Sequence, residues 1–388
     1  IESDNPLYGR TNNPWNLTRS PGGSSGGQAA IIAAGGSPLG LATDIGGSIR
    51  VPATFCNVVG FKPTAGRMPD FSDFGMSLGQ RAIVSQVGAL GRRVVDVALA
   101  LDILNGGRAP AVEPPMPLGD PASVDIARLR VAYYTDDGTL PVAASVQRAV
   151  IEAAGYLAGR GAQVVEWRPP QVERAQDLFF GILSADGGRG AKQMLARNKR
   201  DPRIGSLVTL AGSSRFTLAL LGGALRLGGQ RTIPRLMRNF GYSDTLHYWR
   251  LVEEQVAYQR LFADALDNDD GGPFDVIICP ACAVPAIPHG ASRDLITAGA
   301  YATLYNVLGY PAGVVPLTLV RMEEEQPRPK SRDATLRAAR AAELNSGGLP
   351  VGVQVVARPW REHVALAAMR AIEQSASMRP DYPGLAPR

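Results

Sequence analysis

Residues 22–63 read GGSSGGQAAIIAAGGSPLGLATDIGGSIRVPATFCNVVGFKP and carry two serine sites 24 residues apart. The first is Ser24, inside Gly22-Gly23-Ser24-Ser25-Gly26-Gly27; the second is Ser48, which closes Thr43-Asp44-Ile45-Gly46-Gly47-Ser48. An apolar stretch, residues 29–34, lies between them with glycines on both sides. The Ser24 hydroxyl is suited to cap a helix starting near Ser25, because helix N-termini leave N–H groups unsatisfied. Gly35-Gly36 supply a left-handed stop. Residues 39–43 then read as a short buried strand, and Gly46-Gly47 permit a tight turn or the close approach of a ligand. Successive N–H groups in such a turn form an anion-binding nest. A serine at its end has its hydroxyl beside oxyanion donors, as acyl transfer requires. A flexible Gly/Ser linker fits less well, since it would lack the apolar helix, and Asp44 and Arg50 bracket the turn as a brace.

Through its two serines, its glycines, Asp44, Arg50 and Pro52, the stretch resembles the signature of the amidase signature family. The resemblance implies an α/β fold with a mixed β-sheet covered by helices on both faces. It also implies a hydrolase of carboxylic amides that uses a Ser–Ser–Lys triad and needs no metal or organic cofactor. Ser48 would be the nucleophile, and Ser24, on a non-proline cis peptide, would relay its proton. The N–H groups of Ile45, Gly46, Gly47 and Ser48 would form the oxyanion hole, with Asp44, Arg50, Ser25 and Thr43 in support. The family's lysine lies on a strand well upstream of the middle serine. None of Lys62, Lys192, Lys199 and Lys330 matches it, and Phe61-Lys62-Pro63-Thr64 resembles a structural part of the pattern. The expectation is therefore a chain truncated at its N-terminus, inactive by itself for want of that lysine.

With 388 residues and 45% hydrophobic content the chain can bury a large core. Its net charge of +5 is spread without a dense basic run, which argues against nucleic-acid binding. The odd number of cysteines, Cys56, Cys279 and Cys282, implies no disulfide framework and a reducing, cytoplasmic setting. Cys279-Pro280-Ala281-Cys282 follows a strand, and a coincidental pair is a simpler reading than a redox or zinc site. His247, His289 and His363 have no metal-ligand spacing.

Apolar periodicity marks helices at 93–104, 142–158, 246–266, 298–308 and 361–375, and strands at 129–134, 163–167, 274–279, 313–320 and 351–357. The succession strand–helix–strand over 129–167 argues for a βαβ unit in a parallel or mixed sheet. In 246–266 the expected inward face is Leu246, Trp249, Val252, Val256 and Phe262. Residues 1–20 read as loop, 321–345 as a charged surface excursion, and the proline-rich 109–121 as a candidate internal boundary. A single amidase domain is expected over 1–378, with a disordered tail over 379–388. Residues 207–240 form a helical, cap-like segment that mixes leucines with Arg215, Arg226, Arg231, Arg235 and Arg238 and has no acidic residue. It is too short and too charged to span a bilayer. Core helices or a homodimer contact are one reading, and a helix pair lying on a lipid surface is the other.

Later motifs are similar to the fatty acid amide hydrolase branch of the family. They are Tyr305-Asn306-Val307-Leu308-Gly309-Tyr310-Pro311-Ala312-Gly313-Val314-Val315-Pro316, Gly348-Leu349-Pro350-Val351, Pro359-Trp360-Arg361-Glu362 and Asn5-Pro6-Leu7. That likeness implies an apolar acyl amide as substrate, with Leu183 and Trp360 near the acyl chain. It also implies peripheral membrane contact through residues 210–240. The rival functions are a non-catalytic amide- or lipid-binding relic, a short-chain amide hydrolase, a glutaminase-type amidotransferase subunit, and a membrane-binding protein.

Overall fold

In the computed structural model the described residues are 1–68, 79–105, 116–195 and 201–386, with only the main chain described at 202–204, 206 and 207. Residues 109–115 of the candidate boundary, 387–388 of the tail, and Lys199 lie outside them.

A two-stranded ribbon, β1 (Asp4–Asn5) and β2 (Gly9–Arg10), starts the chain. Among the described residues the main sheet has eight strands: β3 (Leu39–Asp44), β4 (Val59–Lys62), β5 (Gln86–Gly91), β6 (Arg130–Tyr133), β7 (Gln163–Glu166), β8 (Val276–Cys279), β9 (Ala312–Leu319) and β10 (Pro350–Ala357). Their spatial order is β3-β5-β4-β9-β10-β8-β6-β7. β6 pairs in parallel with β7 and β8, whereas the other pairings are antiparallel, so the sheet is mixed. The expected βαβ unit is present: β6 and β7 align Arg130 with Gln163, and α4 (Ala144–Ala158) joins them.

Helices cover both faces. α1 (Gly26–Ala33) and α2 (Arg50–Cys56) lie on one, while α3 (Val94–Asn105), α4 and later α13 (Glu362–Ala376) lie on the other. Between α4 and α13 the chain adds α5 (Val172–Ser184), α6 (Arg189–Leu195), α7 (Pro202–Ala211), α8 (Arg215–Leu227), α9 (Thr232–Leu236) and α10 (Thr245–Asp267). α11 (Ala300–Val307) and α12 (Ala334–Glu343) follow. α2 is buried at every residue, Arg50 included, and packs on β4, β9 and β10. A small cluster of Ala29, Ile32, Ala33, Ile49, Ala53 and Leu90 holds α1 and α2 together over the sheet. Small side chains let the two helices approach closely, and that approach sets the serine-bearing segments side by side.

Several local readings change, β3 among them: expected to be buried, it is an edge strand with Leu39 and Leu41 exposed. Ser24 does not cap α1: the helix starts at Gly26 after Ser25, with no side-chain cap of its own. The hydroxyl of Ser3 accepts from Gly26 N at 3.1 Å instead, so the N–H is satisfied from a distant loop. In α10 the buried residues are Leu251, Gln255, Tyr258, Phe262 and Leu266, while Leu246, Trp249 and Val256 face solvent. The helix turns a stripe containing Gln255 inward because that amide donates to the carbonyls of Ala82 and Val307. Up to Ala386 the tail lies against the body: Asn57 Nδ2 donates to the Pro383 and Gly384 carbonyls, and Ala386 N donates to Ala33 O.

The start of α13 carries a buried ion pair. Arg67 Nε meets Glu362 Oε1 at 2.6 Å, and both side chains are almost wholly buried. Removing one partner of such a pair leaves an uncompensated charge, at a cost of about 3–5 kcal/mol. Glu362→Ala is expected to lower the unfolding free energy by about that amount, read from urea denaturation at pH 7.

Candidate active site

The segments that carry Ser24 and Ser48 lie side by side where α1 packs on α2: Ser25 N donates to Ser48 O at 3.2 Å. The Gly23–Ser24 peptide is cis, as the resemblance implies. Ser24 is exposed and Ser48 is half-buried. Ser24 and Ser25 line a cavity of about 310 Å3 together with Gln28, Leu41, Ala42, Thr43 and Val87. Ser25 Oγ lies 3.5 Å from Thr43 O, at the end of β3.

Asp44, the last residue of β3, organises the turn that follows. Its Oδ1 accepts from Gly47 N at 2.8 Å and its Oδ2 from Ile49 N at 3.1 Å. The Gly47 N–H is thereby committed to Asp44, which removes it from the expected set of four oxyanion donors. The N–H groups of Ile45, Gly46 and Ser48 have no acceptor among the described residues. Gly47 has φ +103°, and a Cβ there would stand 2.8 Å from the Ala302 methyl, so glycine is required both by conformation and by space.

The Asp44 carboxylate forms a bidentate pair with Arg50, through Nε at 3.0 Å and Nη2 at 2.9 Å. Both side chains are fully buried. The remaining guanidinium donors go to Ala302 O, Gln354 Oε1 and Asn306 Oδ1, at 2.8, 2.7 and 2.6 Å. Burial alone would raise the Asp44 carboxyl, but the Arg50 charge and hydrogen bonds outweigh it and hold the group well below the usual carboxylate range. Asp44 and Arg50 together pin the turn between β3 and α2. Asn306 and Gln354 were not singled out as site residues; the signal available was a lone amide inside an otherwise apolar run.

Lys62 is fully buried at the end of β4. Its Nζ donates to Tyr310 O at 2.6 Å and Pro63 O at 3.0 Å, and no hydrogen bond joins it to either serine. Leu183 is half-buried on α5, one turn beyond Phe179, whose ring packs against Gly46. The main-chain N–H of Trp360 donates to Thr64 Oγ1 at 2.8 Å, and its ring lies under Arg67, 4.9 Å from centroid to guanidinium carbon. The three cysteines are free and buried, and Cys279 Sγ accepts from Gln354 Nε2 at 3.2 Å. No three metal-binding side chains gather among the described residues.

The family model for Amidase matches residues 1–366. The chain belongs to the amidase signature family. Fatty-acid amide hydrolase 1 of Sus scrofa is 37% identical over 96% of this chain and 65% of its own length. Fatty acid amide hydrolase 1 of Caenorhabditis elegans is 32% identical over 95% of this chain, again 65% of its own length. The chain thus spans about two-thirds of the curated relatives it matches. A solved structure of a fatty acid amide hydrolase superposes with TM-score 0.76 at 25% identity, over 96% of this chain and 62% of that one.

The state of Lys62 is open to measurement. Burial, joined by the Arg50 charge, lowers its pKa from 10.5 to about 7, against the pull of Asp44 and Glu362. Between those values the unfolded chain binds a proton there that the folded chain does not, so stability rises with pH. The penalty is full below about pH 7 and gone above about pH 10.5. The melting temperature is expected to climb between pH 7 and 10, with a shallower climb in Lys62→Met.

Proposed function

We propose that the protein is a serine hydrolase of carboxylic amides with an apolar acyl group, and that Ser48 is its nucleophile. The observation that carries this reading is the turn ending at Ser48. Three N–H groups without an acceptor among the described residues belong to the turn that ends at this serine, on a backbone pinned by a buried carboxylate. In the proposed reaction Ser48 Oγ attacks the amide carbonyl and yields its proton to Ser24. The N–H groups of Ile45, Gly46 and Ser48 receive the charge that develops on the carbonyl oxygen, where fixed donors lower the barrier most. Collapse of the adduct expels the amine, which takes up the relayed proton, and water then releases the acid.

Lys62 is engaged by two carbonyls, so the relay from Ser24 requires a base other than Lys62. The lysine of a Ser–Ser–Lys triad is the base that the family resemblance implies. The apolar acyl preference is supported by Phe179 against Gly46, by Phe180 and Phe240 beside it, and by the names of the two hydrolases given above. In a protein that carries the lysine base, Ser48→Ala is expected to abolish both amide turnover and labelling by a fluorophosphonate, and Ser24→Ala to lower both. Near-normal hydrolysis of long- and short-chain amides by Ser48→Ala would refute the assignment.

Contact with a lipid surface is supported by a separate observation. α8 exposes Phe216, Leu220, Leu221 and Leu227, the last at 94%, and α10 exposes Leu246 and Trp249. Arg215 and His247 meet at 2.6 Å, which brings the starts of the two helices together. Apolar residues bordered by arginines suit an interface between headgroups and acyl chains. Among the described residues no helix is long and apolar enough to cross a membrane. Flotation with anionic vesicles is expected to carry the protein upward and to fail after Phe216→Ser with Leu220→Ser.

A further inference from the structure

Asp44 steers the turn, but Asp44 is itself held by a residue more than 250 positions away. Asn306 Nδ2 donates to Asp44 Oδ1 at 2.9 Å and to the Asp44 carbonyl at 3.3 Å. Its Oδ1 accepts from Arg50 Nη2 at 2.6 Å. We infer that Asn306 is a positioning residue for the reaction at Ser48: its carboxamide fixes the carboxylate and the guanidinium relative to each other and so aims the unpaired N–H groups of the turn. The inference rests on the reading of Ser48 as nucleophile.

The chemistry of the site selects an amide. One end must donate to an anion and the other must accept from a cation, and asparagine supplies both within one planar group. This orientation matches every donor to an acceptor, whereas the flipped amide would set Oδ1 against the carboxylate. An aspartate would keep the bond to Arg50, lose both donations and place a second carboxylate beside Asp44. A leucine of similar volume would leave the carboxylate with a buried, unfilled position. Gln354 braces Arg50 alone, and its other contacts run to Cys279, Pro280 and Tyr301. Asn306 touches the cation, the anion and the main chain of the residue before the turn.

The helix that carries Asn306 forms the wall of the turn. α11 is buried at all eight residues. Ala302, one helical turn before Asn306 and on the same face, accepts from Arg50 through its carbonyl and abuts Gly47 through its methyl. Thr303 closes on Gly46. A displacement of α11 would therefore reach the turn by side-chain hydrogen bonds and by direct packing together.

Three proteins test this: the unaltered protein, Asn306→Leu and Asn306→Asp, with Glu362→Ala as a control that loses stability without touching Asp44 or Arg50. The readouts are the rate of Ser48 phosphonylation by a fluorophosphonate, kcat and KM for an acyl amide, and amide hydrogen exchange of residues 45–49. Both Asn306 variants are expected to slow phosphonylation about 100-fold, the effect of losing one oxyanion donor. They should lower kcat with little change in KM, because the misplaced donors serve the transition state. Exchange at Gly47 and Ile49 should speed up while β10 stays protected. A purely structural role would make both variants behave as Glu362→Ala does, folded and with a normal rate, and would overturn the inference. If Ser48 is labelled in the unaltered protein and Asn306→Leu reacts as fast, only the positioning role falls. If, in a protein that carries the lysine base, Ser48 is not labelled and Ser48→Ala changes nothing, the reading of the site falls and takes this one with it.

Discussion

The buried pair of Asp44 and Arg50 is the constraint on which the rest of the site depends. Placing two charges in a dry interior is costly, and their attraction offsets that cost only when the remaining lone pairs and protons are also satisfied. Here every guanidinium N–H has an acceptor, and the carboxylate has five donors around its two oxygens. The two main-chain donors among these five are what shape the turn. Electrostatic satisfaction and backbone geometry are thus a single arrangement.

The sheet delivers this arrangement from several sides. β3 ends at Asp44, α2 begins at Arg50, β10 presents Gln354, and α11 presents Ala302 and Asn306. On β10, Gly352 N, at a break in the register with β9, donates to Thr54 Oγ1 on α2, and the Gln354 side chain reaches Arg50 on the same helix. The polar contacts therefore line the face beneath α2. α4 and α13, on the far side of the sheet, supply apolar cover.

The strands with β-branched runs, such as β9 and β10, and the amphipathic helices α4 and α13 were legible in the sequence because their periodicity is strong. β4 and β5 were not: β4 has four residues, all buried, and β5 (QVGALG) has glycine where alternation should show. α2 escaped notice because it is buried all round and so has no polar face to set a period. α12 was hidden by its arginines, although Asp333 caps it through Thr335 N and Leu336 N. The two serines, Asp44 and Arg50 were readable because their spacing is local. Asn306 and Gln354 reach the site only through tertiary packing, so nothing near Ser48 in the chain announces them.

That wide sourcing has a consequence for how the molecule is made. A chain leaving the ribosome presents Ser24 and Ser48 before the rest of the site, and Arg50 lacks three of its acceptors until residues 302, 306 and 354 have emerged. Until then the guanidinium and Asp44 must stay hydrated, and α2 cannot take its buried place. The serine turn therefore reaches its final form only after residue 354 has been made. Long-range closure of this kind makes folding slow and leaves apolar surface open in the interim. A nascent chain of this sequence is a natural client for chaperones, and a fragment that stops before β10 would carry both serines without an organised site.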